Sequence, residues 1–211
     1  MSMTTFSALA ATGASQDAVV VLTPREIAEP VQHHKFTCAE FLEMHRMGLL
    51  GEQDKVELIF GEIVRKMVVG DLHIGCINWL TEFLVAAVAG QATISVQNAL
   101  GLSDSFPEPD ISVLKPSPDY YRTHRAGPAD ALLIIEVADS SLAFDRNVKG
   151  PLYASEGVPE YWIVNLNERL LEVNRLPQPD GTYADRRIFK PGEASDILLL
   201  PQIRLPVEQL F

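Results

Sequence analysis

The sequence predicts an α/β or α+β domain, a sheet with helices packed on it. Three observations predict it. Segments with helical and strand-like patterns alternate in the order helix, hairpin, helix, several strands, helix, strands. The run from Ala131 to Val137 is almost continuously apolar, as in a strand buried on both faces. At 211 residues, with 47% hydrophobic and 21% charged residues, the chain is long and apolar enough to bury a sizeable core. The same figures exclude a disordered chain, and 13 Gly and 14 Pro without a triplet period exclude a collagen-like one.

The elements follow in order. Residues 1–30 are rich in Ala, Ser and Thr and end between Pro24 and Pro30, which reads as a flexible leader; 31–211 reads as a single domain. Thr37 followed by Glu40 fits a capping box, and Phe41, Leu42, Met44, His45 and Leu49 give a helical face closed by Gly48 and Gly51. Val56 to Phe60 and Ile63 to Val68 flank Gly61 as a hairpin. Asp71 is placed to cap a helix with Leu72 to Ala89 as its apolar body and Gly90 as its end. Ala92 to Ala99 alternates like a strand, and Ile111 to Leu114 is a short strand after Pro109-Asp110. A polar loop from Pro116 to Asp130 leads to the buried run at 131–137. Asp145 to Glu156 reads as a helix, with Pro151 shifting its start. Tyr161 to Asn165, Leu170 to Leu176 and Tyr183 to Phe189 read as strands, the last two joined through Pro179-Asp180-Gly181. Ile197 to Leu200 and a tail from Leu205 to Phe211 close the chain, with Tyr161 and Trp162 expected in the core or at a dimer interface.

Lys plus Arg number 17 against 28 Asp plus Glu, a net charge of −11. That balance excludes a generic basic nucleic-acid coat protein, while leaving room for a small local basic groove. Cys38 and Cys76 form no CxxC pair, which excludes a cysteine-based zinc framework and fits a reducing cytoplasm. No Lys- or Arg-bearing signal segment opens the chain. The most apolar stretch, Trp79 to Ala89, contains Glu82 and is too short to cross a bilayer, so no membrane is expected.

Three acids stand out by context. Asp110 follows Pro109 at the mouth of a strand. Glu136 interrupts an otherwise apolar run, and Glu57 lies between Val56 and Leu58-Ile59. A carboxylate inside a hydrophobic strand is costly unless something pairs with it. Mg²⁺ is a natural partner, because it takes hard oxygen ligands and is commonly held by one or two carboxylates plus phosphate. Arg146 and Lys149 follow on the next helix. Each residue also has an ordinary reading: Asp after Pro is common turn chemistry, and helical cations are mostly solvated.

These residues carry a resemblance. Pro109-Asp110 followed by Ile135-Glu136-Val137 is similar to the PD-(D/E)xK nuclease core. Val56-Glu57-Leu58-Ile59-Phe60-Gly61-Glu62-Ile63-Val64, then Asp71-Leu72-His73, resemble one branch of it, the Uma-two-type restriction endonucleases. Asp145, Lys149 and Tyr153 continue the likeness, as does the string from Gly157 to Val164, Gly-Val-Pro-Glu-Tyr-Trp-Ile-Val. The resemblance spans about residues 36–211. It implies a restriction-endonuclease-like mixed central sheet flanked by helices, and Mg²⁺-dependent cleavage of phosphodiester bonds, with Mn²⁺ as a substitute. By matched position, Asp110 and Glu136 would be metal ligands and Glu57 an auxiliary acid at the metal. The superfamily lysine two positions after the second acid is Ala138 here, so the resemblance assigns that role to Lys149 on the following helix.

The loop Tyr120-Tyr121-Arg122-Thr123-His124-Arg125 interleaves aromatic and basic residues. That suits stacking and phosphate contact, and suits a solvated loop equally well. Arg122, Arg125 and Arg146 are accordingly the candidate nucleic-acid contacts. His73 reads as a histidine that either approaches the metal face or is satisfied within the fold. The functional expectation is a Mg²⁺-dependent endonuclease acting on nucleic acid, DNA in the first instance, and forming a homodimer. The alternative is an inactive nuclease-fold module that binds nucleic acid or a protein, motivated by Ala138, Pro151 and an isoelectric point of 4.8. A Gly-x-Ser-x-Gly elbow and a Walker A loop are both absent from the sequence.

Overall fold

The computed structural model describes residues 33–51, 53–67 and 70–211. The leader expected over 1–30 lies outside the described residues. Helix α1 (Cys38–Arg46) starts at the expected capping box, with the Thr37 hydroxyl accepting from the Glu40 amide and the Glu40 carboxylate accepting from the Thr37 amide. Of its expected apolar face only Phe41 is buried, against Leu58 and Phe106. The helix is too short to seat Leu49, which lies past its end and is exposed.

Strands β1 (Val56–Ile59) and β2 (Glu62–Arg65) form the hairpin. Its turn places Phe60 at φ 51° and Gly61 at φ 74°, the two left-handed positions that a tight primed turn requires. A Cβ at Gly61 would sit 2.9 Å from Lys35 Cβ, so the glycine also admits the chain preceding α1. Helix α2 (Asp71–Val88) begins one residue earlier than expected: Gly70 is its N-cap, and Asp71 lies in the first turn, where a negative charge suits the helix dipole. At 18 residues and a hydropathy of 1.2, α2 has the length and composition of a short membrane-crossing helix. Its buried face, Cys76, Ile77, Leu80, Leu84 and Val88, instead packs on the sheet.

The central sheet is six-stranded and mixed, ordered β3 (Thr93–Val96), β4 (Ile111–Leu114), β5 (Ala131–Ala138), β6 (Glu160–Asn165), β7 (Leu170–Pro177), β8 (Tyr183–Phe189). Only β5 and β6 run parallel, and the segment between them crosses over as helix. All eight residues of β5 are buried, as its apolar run predicts. Side chains alternate across the sheet. Ile135 and Val137 face α2 together with Trp162 and Val164. Ile134 and Ala138 face the other layer with Tyr161, Ile163, Leu152 and Tyr153. Glu136, in step with Ile134 and Ala138, falls on that second face. Tyr161 and Trp162 are therefore core residues.

The crossover departs from the expected helix at 145–156. It begins at Leu142 as α3 (Leu142–Phe144), widens into a π-helical segment (Asp145–Lys149) and continues as α4 (Gly150–Ser155). The wide turn lies directly before Pro151, whose ring would meet the carbonyl four residues back in a regular α-helix. Toward the C-terminus, Ile197 and Leu200 are the two ends of a hairpin turn between β9 (Ala194–Ile197) and β10 (Leu200–Pro206), after which Val207–Leu210 forms a 3₁₀ turn. Ile197, Leu205, Val207 and Leu210 close the core on the α2 side.

Candidate active site

Strand register brings the two central acids together. Ile111 pairs with Ile135 in the antiparallel β4–β5 ladder, so Asp110, one step back, lies across from Glu136, one step on. The Asp110 Oδ2 accepts the Val137 amide at 2.8 Å. Glu57 arrives from the first hairpin. The Leu58–Phe106 bridge and the Glu108 amide, which donates to Glu57 Oε1 at 2.7 Å, tie β1 to the segment leading into β4. Lys149 reaches in from the π-helical segment. Its Nζ donates to Glu136 Oε1 at 2.9 Å and to Glu57 Oε1 at 3.2 Å. The Tyr153 hydroxyl donates to the same Glu136 oxygen at 3.0 Å.

The four residues singled out for catalysis thus converge. Glu57, Asp110, Glu136 and Lys149 are 3%, 8%, 4% and 5% exposed, and they line one cleft of about 110 Å³. Three further side chains belong to the cluster. Asp145 is buried, with its Oδ2 accepting from the Ser141 hydroxyl at 2.6 Å. His73, from the first turn of α2, sets its Nε2 3.1 Å from Asp110 Oδ2. Tyr153 is the third. Asp145, Lys149 and Tyr153 stand four residues apart, a spacing that puts them on one side of a helix and was the available signal. Lys66 and Arg65, at the end of β2, also line the cleft, and Lys66 pairs with Glu108 at 2.9 Å.

The charge balance is uneven: four buried carboxylates surround one buried ammonium. Burial pushes Glu136 up to about 8; Lys149 opposes the rise, and Asp110, Asp145 and Glu57 add to it. Burial also pushes Asp145 up to about 6, again against Lys149. For Asp110 the cost of burial is outweighed by its bond to His73, the Val137 amide and the charge of Lys149, so its carboxyl is held below the usual range. Burial disfavours the Lys149 ammonium, yet Glu136, Glu57 and Asp145 more than compensate and keep it charged.

Among the described residues no three His, Cys, Asp or Glu side chains converge as a finished metal cage. The donor chemistry nonetheless fits a hard divalent cation that keeps most of its waters. Glu136 Oε2 and Glu57 Oε2 accept no hydrogen bond from the described residues, and Asp110 Oδ1 has only the Gln97 amide at 3.5 Å. These are oxygens without donors, in a cluster with excess negative charge.

The three arginines expected to contact nucleic acid are not in this cleft. Arg146 lies on the π-helical segment but turns to β7, where Glu172 holds its guanidinium at 2.6–3.0 Å. Arg122 lies over the Tyr120 ring, 5.9 Å from its centroid, and Arg125 over Phe106 at 4.4 Å. Both line a separate groove along the free edge of β3.

No curated protein matches the chain. A solved structure described as a "putative nuclease belonging to DUF820" from Anabaena variabilis superposes with a TM-score of 0.66. It is 19% identical and covers 83% of this chain and 97% of its own, which shows a shared fold. Residues 38–208 match the family Uma2, described as "Putative restriction endonuclease". With the nuclease-like fold and that match over most of its length, the chain belongs to the Uma2 family.

Proposed function

We propose that the protein is a Mg²⁺-dependent endonuclease that hydrolyses phosphodiester bonds, with DNA as substrate. The observation that carries this reading is the set of four buried carboxylates around a single lysine, an arrangement that a divalent cation completes. Asp110 and Glu136 would hold the ion, with Glu57 beside them. When bound, it supplies Lewis acidity and a water of lowered pKa. The chain's own groups do the rest. Tyr153 and Lys149 hold Glu136 through Oε1, leaving Oε2 toward the cleft. Lys149 keeps one N–H that is not used by the two glutamates, placed to stabilise charge developing on a phosphoryl oxygen. Lys66 and Arg65 at the rim offer phosphate contacts on an otherwise acidic protein.

The family description supports a nuclease, and restriction-type chemistry favours DNA over RNA. On the same reading Arg122 and Arg125 serve as a separate contact with the nucleic acid. A homodimer would form along the free edge of β8, where Ile188 is exposed. Plasmid nicking with Mg²⁺ or Mn²⁺ tests the central proposal. Wild type should cut, and Asp110→Ala and Glu136→Ala should not. A wild-type protein that binds plasmid without cutting it in either metal would contradict the proposal and favour a binding module.

A further inference from the structure

We propose that His73 is the positioning residue that decides which oxygen of Asp110 faces the cation. This deepens the metal-centre reading and rests on it. A carboxylate has two chemically equal oxygens and turns easily about its last torsion. Here the two are made unequal. Oδ2 accepts the Val137 amide at 2.8 Å and lies 3.1 Å from His73 Nε2, whereas Oδ1 has only the Gln97 amide at 3.5 Å, beyond the usual hydrogen-bond range. One bond from the neighbouring strand would leave the carboxylate free to pivot. A second donor on the same oxygen, from a different element, fixes its plane and leaves Oδ1 as the oxygen without a close donor.

The other ring nitrogen shows that this contact is what the imidazole is kept for. Among the described residues His73 Nδ1 is the only side-chain nitrogen or oxygen wholly shut off from solvent that has no hydrogen-bond partner, and the residue is 6% exposed. An unmet buried polar atom is costly. A phenylalanine or leucine would fill this place on α2 without that cost. The carboxylate at Nε2 can only accept, so Nε2 carries the proton of this contact.

The test uses the full chain and Mn²⁺ as probe, read by calorimetry or electron paramagnetic resonance. His73→Phe should weaken Mn²⁺ binding about 10–100-fold, the range for residues that orient a metal ligand, in a protein that remains folded without metal. His73→Gln, whose amide N–H extends toward the position of Nε2, should recover most of the affinity; a purely space-filling role predicts the reverse order. Nitrogen-15 NMR of the metal-free wild type should show a protonated Nε2. Wild-type binding matched by His73→Phe, or a proton found on Nδ1 with Nε2 bare, would overturn the assignment of His73 alone. No Mn²⁺ binding by wild type would overturn the metal-centre reading itself.

Discussion

The domain buries charge in two places, and the two are built on opposite plans. On β6, Glu160 is fully buried. Its Oε1 accepts from Trp162 Nε1 at 2.8 Å and Arg175 Nε at 2.7 Å, and its Oε2 accepts the Leu198 amide at 2.7 Å. Arg175 reaches on to the Asp196 carbonyl, fastening the β9–β10 hairpin to the sheet. One buried acid meets one buried base, and both oxygens of that acid are used. Burial still raises Glu160, but its bonds to Leu198 and Arg175 work against the rise. In the cleft, four acids meet one lysine, and several oxygens lack a donor. A closed network fastens structure. An open one with excess charge leaves a place for a cation.

The largest expected effect tests the closed network. Arg175→Met leaves Glu160 buried without its cation and should lower stability by about 3–5 kcal/mol, with no response to Mg²⁺. Denaturant unfolding with and without the metal checks this; rescue by Mg²⁺ would erase the contrast between the two clusters.

In the open cluster Lys149→Met should lower plasmid cleavage about 10²–10³-fold, as loss of a charge-stabilising donor does. It should still bind Mn²⁺, because the removed group is the competing cation. Lost Mn²⁺ binding in a folded variant would show that the lysine builds the site rather than acts in it.

The third effect is on pH. Glu136 is raised to about 8 and Asp145 to about 6, so protons compete with the ion. Metal affinity should climb from pH 6 to pH 8, with proton release measurable by calorimetry in buffers of different ionisation enthalpy. For metal-free protein the sign is set by the raised folded value. The contribution of Glu136 is fully present below the unfolded carboxyl range, near roughly 4.3, and is lost as pH rises through about 8. The melting temperature should therefore fall over that window unless Mg²⁺ is added. Glu136→Gln, which keeps an oxygen for Lys149 and Tyr153, should flatten the fall. The smallest effect belongs to the surface: Arg146→Ala, which breaks a half-exposed pair with Glu172, should change stability by about 0–1 kcal/mol.

Much of the site was legible because its residues violate a pattern. Glu136 breaks an apolar run, and Asp110 opens a strand after a proline, so their placement on neighbouring strands follows from local sequence. Lys149 came from the family resemblance. Its reach to Glu136 and Glu57 depends on the π-helical turn before Pro151, which no periodicity announces. His73 was ambiguous because its partner is 37 residues away, and a contact of that range leaves no local trace. Arg146 shows what composition leaves out: its guanidinium is held by Glu172 on β7, a partner 26 residues away. The hairpin at 194–206 leaves no turn signal in the sequence, because Leu198 and Leu199 are apolar residues in a turn, and the Leu198 amide is held there by the buried Glu160.

The most direct test of the central claim, that the acidic cluster is built for a divalent cation, is calorimetric titration of wild type and Asp110→Ala with Mn²⁺ at pH 8. The account predicts binding in wild type, with protons released, and its loss in a variant that remains folded. Absence of binding in wild type, or equal binding by both proteins, would contradict it.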